Sequence, residues 1–154
     1  MHILFVSGEY PPQTGGVGAY TQELARALAA LGVRCTVVVS RASAREQHFN
    51  SGFSSLERRE ECIAPALPGG AGVVVLPIIE RWGMGAVRAI HRRAQDFQAG
   101  WIHVQYQTAA FNMNPALNFA PRYWQRCARV AWTYHDLLPA YLFPKAGEGV
   151  RDVL

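Results

Sequence analysis

The feature that most constrains this chain is a strand–loop–helix–strand pattern in its first 40 residues. Residues 3–6 are a short run of Ile, Leu, Phe and Val that ends at Ser7 and Gly8, which predicts a buried first strand. Residues 9–18 then form a loop with Pro11, Pro12, Gly15, Gly16 and Gly18, and the two prolines deny it regular ladder or helix bonding. A helix is predicted over 16–31, because Val17, Tyr20, Leu24, Leu28 and Leu31 recur at intervals of three and four as one apolar stripe. Gly32 stands where a C-terminal cap belongs. Residues 34–40, around Cys35 to Val39, predict a second strand. Together they make a βαβ unit with parallel strands, the first of them central in its sheet.

The rest of the chain continues the alternation. Residues 73–76 predict a third strand, ended by Pro77. Met84, Val87, Ile90, Ala94 and Phe97 mark a second amphipathic helix. Residues 101–105 and 129–134 predict two further strands, and 114–126 a partly helical segment that Pro121 either starts or kinks. The polar stretch 42–64 is compatible with a helix or a long surface loop, and 65–72 is a proline- and glycine-rich connection. Strands alternating with helices predict an α/β fold, a Rossmann-like doubly wound parallel sheet. Residues 150–154 look like the first turn of a further helix, so residues 1–154 are expected to be one domain of a longer protein.

Composition narrows the classes of function. Half the residues are hydrophobic and 17% are charged, which argues for a folded core and against disorder. The net charge of +4 comes almost wholly from arginine, Lys145 being the one lysine. That balance suits phosphate-bearing ligands or an anionic membrane surface. No basic run is interleaved with aromatics, so nucleic acid is not an expected partner. No apolar run reaches the ~18–20 residues that span a bilayer, and residues 2–6 lack the basic start of a signal peptide, so a cytoplasmic location is expected. Cys35, Cys62 and Cys127 are odd in number and have no zinc-like spacing, which makes them structural thiols and gives no metal site.

Open α/β sheets bind ligands where loops leave the carboxyl ends of the strands, and three such loops carry unusual residues. The first holds Gly15, Gly16 and Val17 at the start of the first helix, where bare backbone and free N–H groups suit an anion. Its spacing fits neither the dinucleotide fingerprint nor a Walker A loop. The second follows the fourth strand and offers Gln105 and Tyr106, able to hydrogen-bond a hydroxyl. His103 is expected to be structural, on the face opposite Gln105. The third follows the fifth strand with Thr133, Tyr134, His135 and Asp136. The helix over 81–97 carries Arg88, Arg92 and Arg93 beside Trp82 and Met84, a pattern of a solvated face or of a helix lying on anionic lipid.

The order Tyr10-Pro11-Pro12, Gly15-Gly16-Val17-Gly18, then a helix ending at 28–32 and a valine-rich strand, resembles the opening of retaining family 4 glycosyltransferases of the GT-B fold. The segment around Thr133, His135 and Asp136 resembles a Thr-x-His-Asp/Glu segment of the same family, and 101–108 a strand that ends at the cleft. Trp101 and Gln105 depart from the acidic residue and the histidine often found at those places. The resemblance implies the acceptor-side, N-terminal half of a transferase whose donor-binding C-terminal domain lies downstream. It implies that Gly15, Gly16 and Val17 face the diphosphate and sugar of a nucleotide-diphospho-sugar, that Gln105 and Tyr106 face a glycan, lipid or small-molecule acceptor, and that His135 touches the donor sugar near the reacting centre. No metal or other cofactor is implied, and the domain alone is expected to be silent. Peripheral contact with a membrane is compatible with the lipid acceptors common in the family. Two other functions fit the same residues, a different GT-B enzyme such as a sugar-nucleotide epimerase, and a non-catalytic module that binds glycan or lipid.

Overall fold

A first strand, β1 (His2–Ser7), is buried along its whole length and has a parallel neighbour on each side. The computed structural model describes residues 1–41, 62–63 and 72–135. After β1 come α1 (Gly16–Ala30), β2 (Arg34–Ser40), β3 (Cys62–Ile63), β4 (Val73–Ile79), α2 (Met84–Asp96), β5 (Trp101–Tyr106), a 3₁₀ turn at Ala109–Phe111, α3 (Ala116–Trp124) and β6 (Arg129–Tyr134). The sheet order is β3-β4-β2-β1-β5-β6. Five strands are parallel, and the two-residue β3 pairs antiparallel with β4 at one edge. The parallel, Rossmann-like α/β sheet with β1 in the middle is therefore the arrangement the βαβ pattern predicts. The expectations for the rest of 42–72 and for 150–154 lie outside the described residues.

Strand alternation sorts the core into two layers. Leu4, Val6, Ile102 and Val104 pack with Val87, Ile90, Leu117 and Trp124 from α2 and α3. Ile3, Phe5, Val37 and Val39 pack on the other face with Ala25 and Ala29 of α1. Each large side chain buried in this way stabilises the fold by about 1.5–3 kcal/mol relative to exposure. The Trp124 indole N–H also donates to the Val87 carbonyl at 2.9 Å, which ties α3 to α2.

Helix α1 corrects the predicted stripe. Its buried residues are Val17, Gly18, Thr21, Ala25 and Ala29, while Tyr20 and Leu31 are exposed and Leu24 and Leu28 only flank the core. Small residues at intervals of four let the helix lie close to the sheet, and the larger apolar residues are displaced to its sides. A Cβ on Gly18 would come within 3.0 Å of the Tyr10 backbone. The end of the helix follows the sequence. Gly32 has φ of 82°, Gly32 N–H bonds Ala29 O at 2.9 Å and Val33 N–H bonds Leu28 O at 3.0 Å, the two bonds of a Schellman cap.

The prolines also part from expectation at one place. Strand β4 does not stop at Pro77 but runs to Ile79. Pro77 pairs with Val39 where the register against β2 slips between Val39 and Ser40, and such an irregularity near a sheet edge tolerates a residue without an N–H. Pro121 lies inside α3, and Gln125 N–H still reaches the Pro121 carbonyl at 2.9 Å. Among the described residues no helix is long and apolar enough to cross a membrane.

Candidate active site

The carboxyl ends of β1, β5 and β6 lie side by side, and the loops leaving them carry the chemistry. Beyond β1, Ser7 Oγ donates to the Glu9 carbonyl, and Gln13 N–H bonds Tyr10 O at 3.1 Å, so the loop folds back on itself. Its Pro11–Pro12 peptide is cis. Gly15 caps α1, with Ala19 N–H bonding the Gly15 carbonyl at 3.1 Å. The N–H groups of the first turn have no acceptor within the helix and form a region of partial positive charge. Gly16 is exposed, and among the described residues a Cβ there would meet nothing within 4 Å, so the space beside Gly16 is open. Val17 is buried in the core, which leaves only its backbone N–H for a ligand.

The Glu9 carboxylate sits directly against Gly15, in the place a Cβ would need. Its negative charge also acts on His135, the residue just beyond β6. Burial holds the His135 imidazole below its ordinary value of 6.5, and Glu9 opposes that shift. His135 is held in three ways. Its backbone N–H donates to Tyr106 O at 2.9 Å, its Nε2 meets Gln105 Oε1 at 2.8 Å, and its ring stands edge-on to Tyr20 of α1 with centroids 5.1 Å apart. The glycine loop and His135 thus share one end and one face of the sheet, joined through Glu9 and Tyr20.

Gln105 occupies the same face but is not an exposed hydroxyl-binding group. It is 0% exposed, and its side-chain amide nitrogen has no hydrogen-bond partner among the described residues. Tyr106 is not brought into the group. Adjacent strand residues point to opposite faces, and Tyr106 packs with Phe111, Trp132 and Tyr134 on the α2–α3 side, its hydroxyl 3.1 Å from Asn118 Oδ1. A shallow concavity on that side is lined by Asn118, Pro121, Gln125, Val130, Trp132 and Tyr134.

His103 is a further correction. The expectation put it opposite Gln105, but residues two apart share a face, and so do these. The His103 ring lies tilted against Phe5 with centroids 5.3 Å apart, and its Nε2 lies 2.9 Å from Thr133 Oγ1. Burial lowers its proton affinity, and the neighbouring His135 lowers it further. Two residues of the site went unpredicted. Glu9 had the one available signal, an acid in the glycine loop, and Tyr20 was assigned to the core stripe.

Cys35 is buried, and burial pushes its thiol up to about 11. Cys127 is partly buried beside His91 Nδ1 at 3.3 Å, and burial raises its thiol too. The Cys62 side chain and Asp136 lie outside the described residues. Among the described residues no three His, Cys, Asp or Glu side chains gather as metal ligands would.

No curated protein and no solved structure matches the chain. The sequence pattern of Glycosyltransferase Family 4 matches residues 14–152, a span that takes in Gly15, Gly16, Gln105 and His135. With that match on a parallel Rossmann-like sheet of the kind found in the N-terminal half of the GT-B fold, the chain belongs to glycosyltransferase family 4.

Proposed function

We propose that this chain is the acceptor-side, N-terminal domain of a retaining glycosyltransferase, which moves a sugar from a nucleotide-diphospho-sugar to a glycan, lipid or small-molecule acceptor. A second, donor-binding domain closes over the carboxyl ends of β1, β5 and β6. The observation that carries this reading is the shared placement of the Gly15-Gly16 helix start and His135, with Glu9 against the one and acting on the other. The N–H groups of Gly16 and Val17 face the leaving diphosphate, where helix-terminal partial charge offsets the negative charge that develops. His135 touches the donor sugar beside the reacting carbon. No metal takes part, because helix N-termini and basic groups neutralise the diphosphate. The decisive experiment is a transfer assay on the enzyme that contains this domain, using UDP-, GDP- and ADP-sugars. Donor-dependent product with retained anomeric configuration supports the reading. Sugar or lipid binding with no transfer would favour a non-catalytic module, and epimerised nucleotide-sugar would favour the epimerase alternative.

The same reading places the enzyme in the cytoplasm at the inner face of the membrane. Its support is the outer face of α2 and α3. Met84, Arg88 and Arg92 are exposed on α2, and Phe119, Arg122 and Arg126 are exposed on α3 and just beyond it, with Phe119 at 76%. Apolar tips among exposed guanidinium groups suit the interfacial layer of anionic lipid.

A further inference from the structure

The contact between Gln105 and His135 fixes more than the position of a ring. With the amide placed so that Gln105 Oε1 faces the ring at 2.8 Å, the oxygen has no hydrogen to give and His135 Nε2 carries the proton. A neutral imidazole has a single N–H, and Nδ1 is then a lone-pair acceptor with no partner among the described residues. The support is rigid. Gln105 is fully buried on β5, which is paired on both sides by β1 and β6, and the His135 backbone is pinned to Tyr106. The other groups facing the ring are Glu9 from the β1 loop, Tyr20 from α1 and His103 from β5. They act on it through charge or ring contact, and among the described residues none is hydrogen-bonded to it.

We propose that Gln105 is a positioning residue that sets the tautomer of His135, so that Nδ1 meets the ligand as a hydrogen-bond acceptor. The group recognised there is then a hydroxyl, which can donate, and not a phosphate oxygen, which cannot. The inference rests on the reading of His135 as a sugar-facing residue and divides the site into two parts. The α1 N-terminus takes the anion, and His135 takes a sugar hydroxyl. The amide turned the other way would put its NH₂ on Nε2 and demand a proton on Nδ1, which reverses the assignment.

Nitrogen-15 NMR of the histidine side chains in this chain, at a pH where the imidazoles are neutral, reads the tautomer directly. The expected result is Nε2–H at His135. Gln105→Met keeps the volume and removes the oxygen, and the tautomer ratio should fall about two- to twelvefold, as the loss of one hydrogen bond implies. His103, with its own partner Thr133, should keep its signals and so reports that the sheet is intact. Gln105→Glu, which can only accept when ionised, should keep Nε2–H and move the His135 titration upward. A wild-type Nδ1–H signal, or an unchanged ratio in Gln105→Met, overturns the proposal. Should Gln105→Met fail to fold, the wild-type spectrum decides alone. None of these spectra depends on transferase activity, so a failed transfer assay would leave this test intact.

Discussion

His135 Nε2 lies 2.8 Å from Gln105 Oε1, although 30 residues separate the two in the chain. The bond joins the ends of neighbouring parallel strands, where Gln105 lies opposite Thr133 in the register and His135 follows just past the last pair, Tyr106 and Tyr134. That geometry ties one histidine to the sheet's frame, while its other nitrogen has no hydrogen-bond partner among the described residues. The site therefore combines a held imidazole with a helix start at which Glu9 lies against Gly15 and the space beside Gly16 is open among the described residues.

The two glycine positions of α1 predict opposite outcomes. Gly16→Ala adds a methyl into open space at a helical position, so thermal stability should hold or rise by about 0.4–1 kcal/mol. Donor use should fall nonetheless, because the methyl stands where the proposed function brings the diphosphate. Gly18→Ala would press on the Tyr10 backbone and should cost about 1–3 kcal/mol. Denaturation of both variants, with kcat/KM of the enzyme carrying Gly16→Ala, checks the pair. Equal stability losses would mean that the two glycines serve the same packing role.

The same helix shows where the sequence could and could not be read. Its start, its Gly32 cap and its parallel strands follow from local rules, because glycine at positive φ and the apolar period act within a few residues. Its buried face does not. The apolar period picks out the large residues, whereas the sheet admits Gly18, Thr21, Ala25 and Ala29, a choice set by the distance between layers. The candidate residues Gly15, Gly16 and His135 could be found from strand-end placement and family resemblance. The pairing of Gln105 with His135, and the removal of Tyr106 to the opposite face, follow from the pleat and the β5–β6 register and need the assembled sheet. Glu9 gives no pattern beyond its place in the loop.

Stability should fall in mild acid. His2, His103 and His135 all take up a proton less readily than the ordinary value of 6.5, chiefly because burial desolvates the cation. The unfolded chain therefore binds protons at these sites before the folded chain does, and stability rises with pH across that window. It should be complete above 6.5 and lost progressively as the pH drops below it toward the folded values. Urea midpoints measured from about pH 7.5 down to about 5.5 should decrease, and His2→Asn should shrink the slope. A midpoint flat across this range would show that the three rings titrate as in water.

The basic face of α2 and α3 predicts salt-sensitive lipid binding. The chain should co-sediment with vesicles rich in anionic lipid and not with neutral vesicles, and should be released by roughly 0.5 M salt as the Debye length shortens. Arg122→Glu with Arg126→Glu should abolish the association, and Phe119→Ser should weaken it. Equal binding to neutral vesicles would remove the electrostatic part of the account.

The proposed division of labour between this domain and a donor-binding one predicts weak donor binding by this chain alone. An open cleft leaves each charge interaction in water, where it is weaker than in a closed site. Calorimetry with UDP-, GDP- and ADP-sugars should give a Kd of about 1 mM or weaker, near −4 kcal/mol. Micromolar binding would place the donor site in this domain.

The most direct test of the central claim is turnover by the intact enzyme with His135 replaced. His135→Ala should lower kcat by roughly ten- to a thousandfold, within or just below the ~2.7–4 kcal/mol associated with losing one transition-state hydrogen-bonding group. The donor KM should move much less. Unchanged turnover in His135→Ala would contradict the account and reduce His135 to a structural partner of Gln105.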